Sequence, residues 1–168
     1  QVDFFRPQVD GLADGGFVAT WTSTSDGQND GIYARRFYAN GTAVGSEFLV
    51  NTYTANRQYE SDISALADGG FVVVWTSQDQ DGNNGGAYAQ RYDSAGNAVG
   101  GETQVNVYWN SAQGSPKVSG LENGGFVVTW HTSYPPERSH AIAVRHYDAA
   151  GNAVTGEIQV IPDDPRGA

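Results

Sequence analysis

The chain has 168 residues, 19 of them acidic and 9 basic for a net charge of −10, with 22 glycines, 12% aromatic residues and no cysteine. Affinity for phosphate backbones and anionic membranes comes from clustered Lys and Arg, so this balance argues against both as partners, and the missing cysteines remove disulfide staples and thiolate metal sites. No apolar run approaches the length of a membrane-spanning helix, no charged-then-apolar leader stands at Gln1, and the absence of an initial Met points to a mature product or a piece of something longer.

The first segment, Gln1-Val2-Asp3, resembles Gln104-Val105-Asn106 further along and hints at a strand that closes another unit. A short strand follows from Pro7 to Leu12 and turns at Ala13-Asp14-Gly15-Gly16, where Asp and Gly suit a tight hairpin. The next strand, Phe17 to Trp21, is apolar on both faces, which fits a strand sandwiched between two layers. A loop from Ser25 to Asp30 leads to an alternating strand, Ile32 to Phe37, a turn at Asn40-Gly41, and a fourth strand around Glu47 to Asn51.

The same order then recurs twice. Leu12 to Trp21 (LADGGFVATW) matches Leu66 to Trp75 (LADGGFVVVW) and Leu121 to Trp130 (LENGGFVVTW), with the Trp residues 54 and 55 positions apart. Gly41, Gly96 and Gly151 fall 55 apart, so the length difference lies in the loop after Trp, where variation costs least. The chain therefore reads as one all-β repeat domain of three tandem four-stranded antiparallel units, 1–55, 56–110 and 111–168. Inner strands buried on both faces at this repeat length fit β-propeller blades better than a β-prism, a trefoil-like closure or a linear array. Three blades leave open edges, so the chain is expected either to dimerise into a six-bladed ring or to continue in a longer polypeptide.

The string from Leu66 to Asn106, with LADGGFVVVW, then DQDG, then AQRYDSAGNAVGGETQVN, resembles repeats of large bacterial secreted proteins of the repeats-in-toxin and adhesin kind. The resemblance spans all three units. It implies bacterial-type secretion to the exterior or cell surface, calcium as a cofactor, and attachment to surfaces or glycans. The third unit departs from the pattern by replacing the acidic loop with Thr132 to Arg138, which sets it apart from any shared calcium role.

Four groups of side chains are candidates for chemistry. Asp26, Asp30, Asp79 and Asp81 alternate with amides around a Gly, as oxygen ligands of calcium do, although no Glu closes an EF-hand and the same residues serve solvated turns. Trp21, Trp75 and Trp130 could stack on sugar rings but end buried strands in phase with Phe17, Phe71 and Phe126; Trp109, beside Tyr108, has no counterpart in the other units and is the better exposed binding aromatic. Arg36, Arg91 and His146 share one repeat position, suited either to gripping ligand hydroxyl or carboxylate groups or to pairing with the repeated Glu47, Glu102 and Glu157. His131 and His146 lie on hairpin partners, and with Glu137 they form a remote zinc alternative.

No nucleophile triad, phosphate loop or paired catalytic carboxylates can be assembled without free choice among many residues. The function that follows is a non-catalytic secreted binding module, lectin- or adhesin-like, making multivalent contact with carbohydrate or another surface polymer. The alternative is a structural repeat whose blade edges mediate homo-oligomerisation.

Overall fold

The computed structural model describes residues 6–24, 29–108, 110, 112–134 and 139–160, and everything below concerns these. Gln1-Val2-Asp3, Asp26, Trp109 and Glu137 lie outside them.

Each repeated Asp/Asn-Gly-Gly folds the chain back on itself for a stated reason. Asp14 Oδ1 accepts the Gly16 amide at 2.9 Å, and Asp68 and Asn123 do the same for Gly70 and Gly125 at 2.9 and 3.1 Å. Gly15 has a φ of 81°, which side chains resist, and the second glycine is required by space: a Cβ on Gly16 would lie 2.4 Å from the Phe37 carbonyl oxygen. The β-branched and aromatic run that follows each turn then pairs as a strand on both sides.

Twelve strands result, in three sheets of sequential antiparallel order. The first contains β1 (Gln8–Gly11), β2 (Phe17–Ser23), β3 (Gly31–Phe37) and β4 (Ala43–Leu49). The second contains β5 (Gln58–Ala65), β6 (Phe71–Gln78), β7 (Gly85–Tyr92) and β8 (Ala98–Gln104). The third contains β9 (Gln113–Gly120), β10 (Phe126–Tyr134), β11 (Ser139–Tyr147) and β12 (Ile158–Gln159). β4 and β8 begin directly after their turns, several residues earlier than the sequence pattern suggests, because the tight turn leaves no slack; β12 is short and begins only at Ile158, with Tyr147 and Ala153 forming an isolated bridge before it.

The sheets stack face to face, and the contacts between them gather at the first strands, β5 against β1 to β3 and β9 against β5 to β7. Fanned four-stranded meanders of this kind are β-propeller blades. The core is correspondingly split. One half lies between units 1 and 2, where Val18, Ile32 and Ala34 meet Phe71, Val73, Trp75 and Tyr88. The other lies between units 2 and 3, where Val72, Val74 and Ala89 meet Phe126, Val128, Trp130 and Tyr147. In β6 both faces are therefore buried, whereas β2 and β10 bury one face fully and the other partly.

Candidate functional site

The innermost strands carry an irregularity at one repeat position. Arg6, Glu60 and Ser115 all have positive φ, at 33°, 57° and 51°, although none is glycine. In β5 and β9 the pairing register shifts at that point, the mark of a β-bulge that redirects side chains. The three residues form a chain across the units: Arg6 pairs with Glu60 at 2.5 Å, and Glu60 Oε2 accepts from the Ser115 amide and hydroxyl at 3.1 and 2.7 Å.

Beside this bulge the two inter-unit interfaces differ. Between units 1 and 2, Arg57 Nε reaches Asp30 Oδ2 at 2.6 Å, and the same guanidinium lies 5.7 Å from the centre of the Tyr59 ring. At the equivalent positions between units 2 and 3 stand Ala112 and Gly85, and Gly114 replaces Tyr59. The bridging pair is thus absent. A cleft of about 490 Å³ opens there, with Arg57, Tyr59, Gln78 and Asn84 from unit 2 and Ser115 and His131 from unit 3 among its lining residues.

The cleft lining combines one aromatic ring with amide, hydroxyl, guanidinium and imidazole groups. Tyr59 is half-buried, and burial, the largest influence, together with the Glu60 charge raises its hydroxyl above the usual tyrosine range, so it stays a neutral donor beside an apolar ring face. Gln78 and Asn84 supply paired donors and acceptors, and Arg57 and Ser115 add further polar groups. The described lining contains no Asp or Glu.

Of the residues singled out in the sequence, His131 lines the cleft and the other described ones are placed elsewhere. Trp75 and Trp130 are sealed in the two cores, so neither faces a ligand; Trp21 occupies the same position in unit 1 but is half-exposed, because no unit packs on that face. Arg36 and Arg91 pair with the turn residues Asp14 and Asp68, at 2.5 and 3.2 Å, rather than with Glu47 or Glu102. In unit 3 both members of this pair change, to His146 and Asn123. The neighbouring column is equally structural: Arg35 and Arg145 donate to the carbonyls of Gly45 and Thr155, and Arg145 Nη1 also reaches the Val105 carbonyl of unit 2 at 2.9 Å.

The repeated glutamates latch neighbouring units together. Glu102 Oε2 accepts from the Thr52 amide and hydroxyl at 2.7 and 3.0 Å, and Glu157 Oε2 accepts from the Val107 and Tyr108 amides at 2.9 and 3.2 Å. Tyr108 is held by its backbone in this latch and is half-buried; Trp109, which follows it, is outside the described residues.

Among the acidic loop residues, Asp30 is buried and neutralised by Arg57, which makes it a poor cation ligand. Asp81 accepts from the Asn83 amide and from Gln104 Nε2, each at 3.1 Å, and Asp79 closes the same turn through backbone bonds with Asn84 and Gly82. Among the described residues no group of three or more His, Cys, Asp or Glu is placed to hold a metal ion. His131 pairs with Ile142 and His146 with Val127. That separates the two histidines by four residues along the sheet, about 13 Å at the strand rise, so they do not share a zinc ion.

No family model matches the chain, and no curated protein matches it. Among solved structures it resembles an endo-arabinase from Bacteroides thetaiotaomicron, with a TM-score of 0.63 and 14% identity over 97% of this chain and 64% of that one. It also resembles an α-L-arabinofuranosidase from Lactobacillus brevis, with a TM-score of 0.56 and 14% identity over 94% of this chain and 54% of that one. A fucose lectin from Kordia zhangzhouensis, solved with methyl-fucoside, matches with a TM-score of 0.52 and 7% identity over 94% of this chain and 99% of the lectin. The chain thus spans less than two-thirds of both enzymes. At these identities the likeness carries the propeller-like fold alone.

Proposed function

We propose that the chain is a non-catalytic carbohydrate-binding module whose ligand sits in the cleft between units 2 and 3. The observation that carries this reading is the replacement of the Arg57 and Asp30 bridge by Ala112 and Gly85, which leaves an aromatic face, two amides and a guanidinium around an open space instead of a closed interface. A volume of about 490 Å³ is in the range of small-ligand pockets. The sugar-binding or sugar-processing neighbours on the same fold support the ligand class, and the net charge of −10 favours neutral over acidic glycans.

Glycoside hydrolysis ordinarily needs two carboxylates flanking the scissile bond. The described lining supplies neither, which supports binding over turnover. Because the cleft forms where the bridge is replaced and not at the interface that keeps it, avidity depends on how many chains assemble rather than on three equal sites in one chain.

The test is a panel of neutral and acidic glycans presented to the intact chain, followed by calorimetric titration of the hits. A neutral glycan should bind, and Tyr59→Ala or Ala112→Arg should abolish that binding with an unchanged circular dichroism spectrum. Failure of every glycan to bind, or binding untouched by both substitutions, overturns the proposal.

A further inference from the structure

We infer that the exposed face of unit 1 and the exposed face of unit 3 are the two halves of one further inter-blade interface, filled by a second copy of this chain. The molecule contains this interface twice already, between units 1 and 2 and between units 2 and 3, so each unpaired surface can be compared with a paired version of itself.

On the unit 1 face, Val9 is 64% exposed, whereas its equivalent in unit 2, Ile63, is 6% exposed and Val118 in unit 3 packs on the core. Trp21 is half-exposed where Trp75 and Trp130 are sealed. Ile158, on the unit 3 face, is 49% exposed, whereas its unit 1 equivalent Phe48 packs against Tyr92 of the next unit with ring centres 5.3 Å apart. Val144 is likewise half-buried where Ala34 and Ala89 are buried. The two faces are therefore apolar at the positions that the internal interfaces bury, and each lacks the unit that would bury it.

A polar staple repeats the asymmetry. Asp10 Oδ2 accepts the amide of Ala65 in the next unit at 2.8 Å, and Ser64 Oγ accepts the amide of Gly120 in the next at 2.9 Å. Ser119 holds this acceptor position in unit 3 and is exposed; Gly11 holds the donor position in unit 1 and is also exposed, its amide turned to its own Asp10 side chain at 2.9 Å. Apolar surface and staple thus both point from unit 3 of one molecule to unit 1 of another, a head-to-tail contact. Head-to-tail contacts close into rings or run on as filaments. Propellers close with about four to eight blades, which two copies satisfy with six and three copies exceed.

The experiment is light-scattering chromatography of the 168-residue chain and of two variants altered at exposed positions, Val9→Glu on one face and Ile158→Glu on the other. The expected result is a wild-type particle of twice 17.9 kDa that does not grow with concentration. Each variant should be monomeric with its circular dichroism spectrum retained. A mixture of the two should recover a dimer through the one interface in which neither substitution lies. A wild-type monomer at every concentration, an open-ended series of masses, or a dimer lost in only one variant would overturn the inference, the last because it signals like-with-like pairing. These outcomes are independent of whether any glycan binds.

Discussion

Arg57 Nε lies 2.6 Å from Asp30 Oδ2 across the first inter-unit interface, with the carboxylate side chain 7% exposed and the guanidinium 44% exposed. Removing the arginine leaves a buried carboxylate without its cation. Arg57→Ala should lower stability by about 1–3 kcal/mol, and adding Asp30→Asn should recover part of that loss. Urea denaturation of Arg57→Ala, Asp30→Asn and the double variant measures the difference, and a double variant as unstable as the sum of the singles would show that the pair does not act as a pair.

The three repeated tryptophans should not behave alike. Trp75 is fully buried between units 1 and 2, so Trp75→Ala should cost about 3–5 kcal/mol. Trp21, half-exposed in the single chain, should cost far less when replaced in the Val9→Glu background, where a second copy cannot cover it. Equal losses in thermal or chemical denaturation would mean that the face of unit 1 is buried by something within the chain itself.

Glu102 and Glu47 offer a matched comparison. Glu102 accepts from the Thr52 amide and hydroxyl and from Gln80 Nε2, whereas Glu47, at the same repeat position, is exposed. Glu102→Ala should therefore destabilise the chain by about 1 kcal/mol, since it removes charge-assisted hydrogen bonds that water at the exposed Thr52 only partly replaces, and Glu47→Ala should be close to neutral. Denaturation midpoints of the two single variants decide the matter.

Acid should weaken the fold through the third-to-fourth-strand turns. Asp93 is held below the usual carboxylate range chiefly by the side chain of Asn97, then by its amide; Asp148 is held down by the amide and then the side chain of Asn152. A depressed value in the folded state means that the stabilisation is present above the unfolded carboxylate value of about 3.9 and disappears as pH falls through the lower folded value. Both groups are exposed, so the effect is modest. The fall in melting temperature from about pH 5 to about pH 3 should be smaller in Asp93→Asn/Asp148→Asn than in the wild type, and an identical fall would assign acid sensitivity to other carboxylates.

Much of the fold was legible because the repeat is written in residues whose role is local. Asp14, Gly15 and Gly16 define a hairpin by their own hydrogen bond, φ and close approach to Phe37, and so do their copies in the other units. An apolar run too evenly hydrophobic for a one-faced strand, as in Phe71 to Trp75, already demanded cover on two sides. From these alone come three four-stranded antiparallel units and the burial of Trp75 and Trp130.

The partners of long side chains were not legible, because repetition reports equivalence and not contact. The sequence left Arg36 to a ligand or to Glu47, and only the hairpin geometry brings Asp14 to 2.5 Å while Glu102 and Glu157 latch loops of the preceding units. The cleft was hidden for the same reason. Ala112, Gly114 and Gly85 look unremarkable beside the alternating carboxylates of the loops, yet against Arg57, Tyr59 and Asp30 they are the columns where the units differ, and a column-by-column comparison would have marked them. Sequence by itself determined the unit, its turns and the layers that strands must have above and below them, since these follow from backbone conformation and hydrophobic period over a few residues. Tertiary structure alone decided which side chains meet across the stacked units and where a missing bridge leaves room for a ligand, since those depend on distances between residues more than twenty positions apart in the chain.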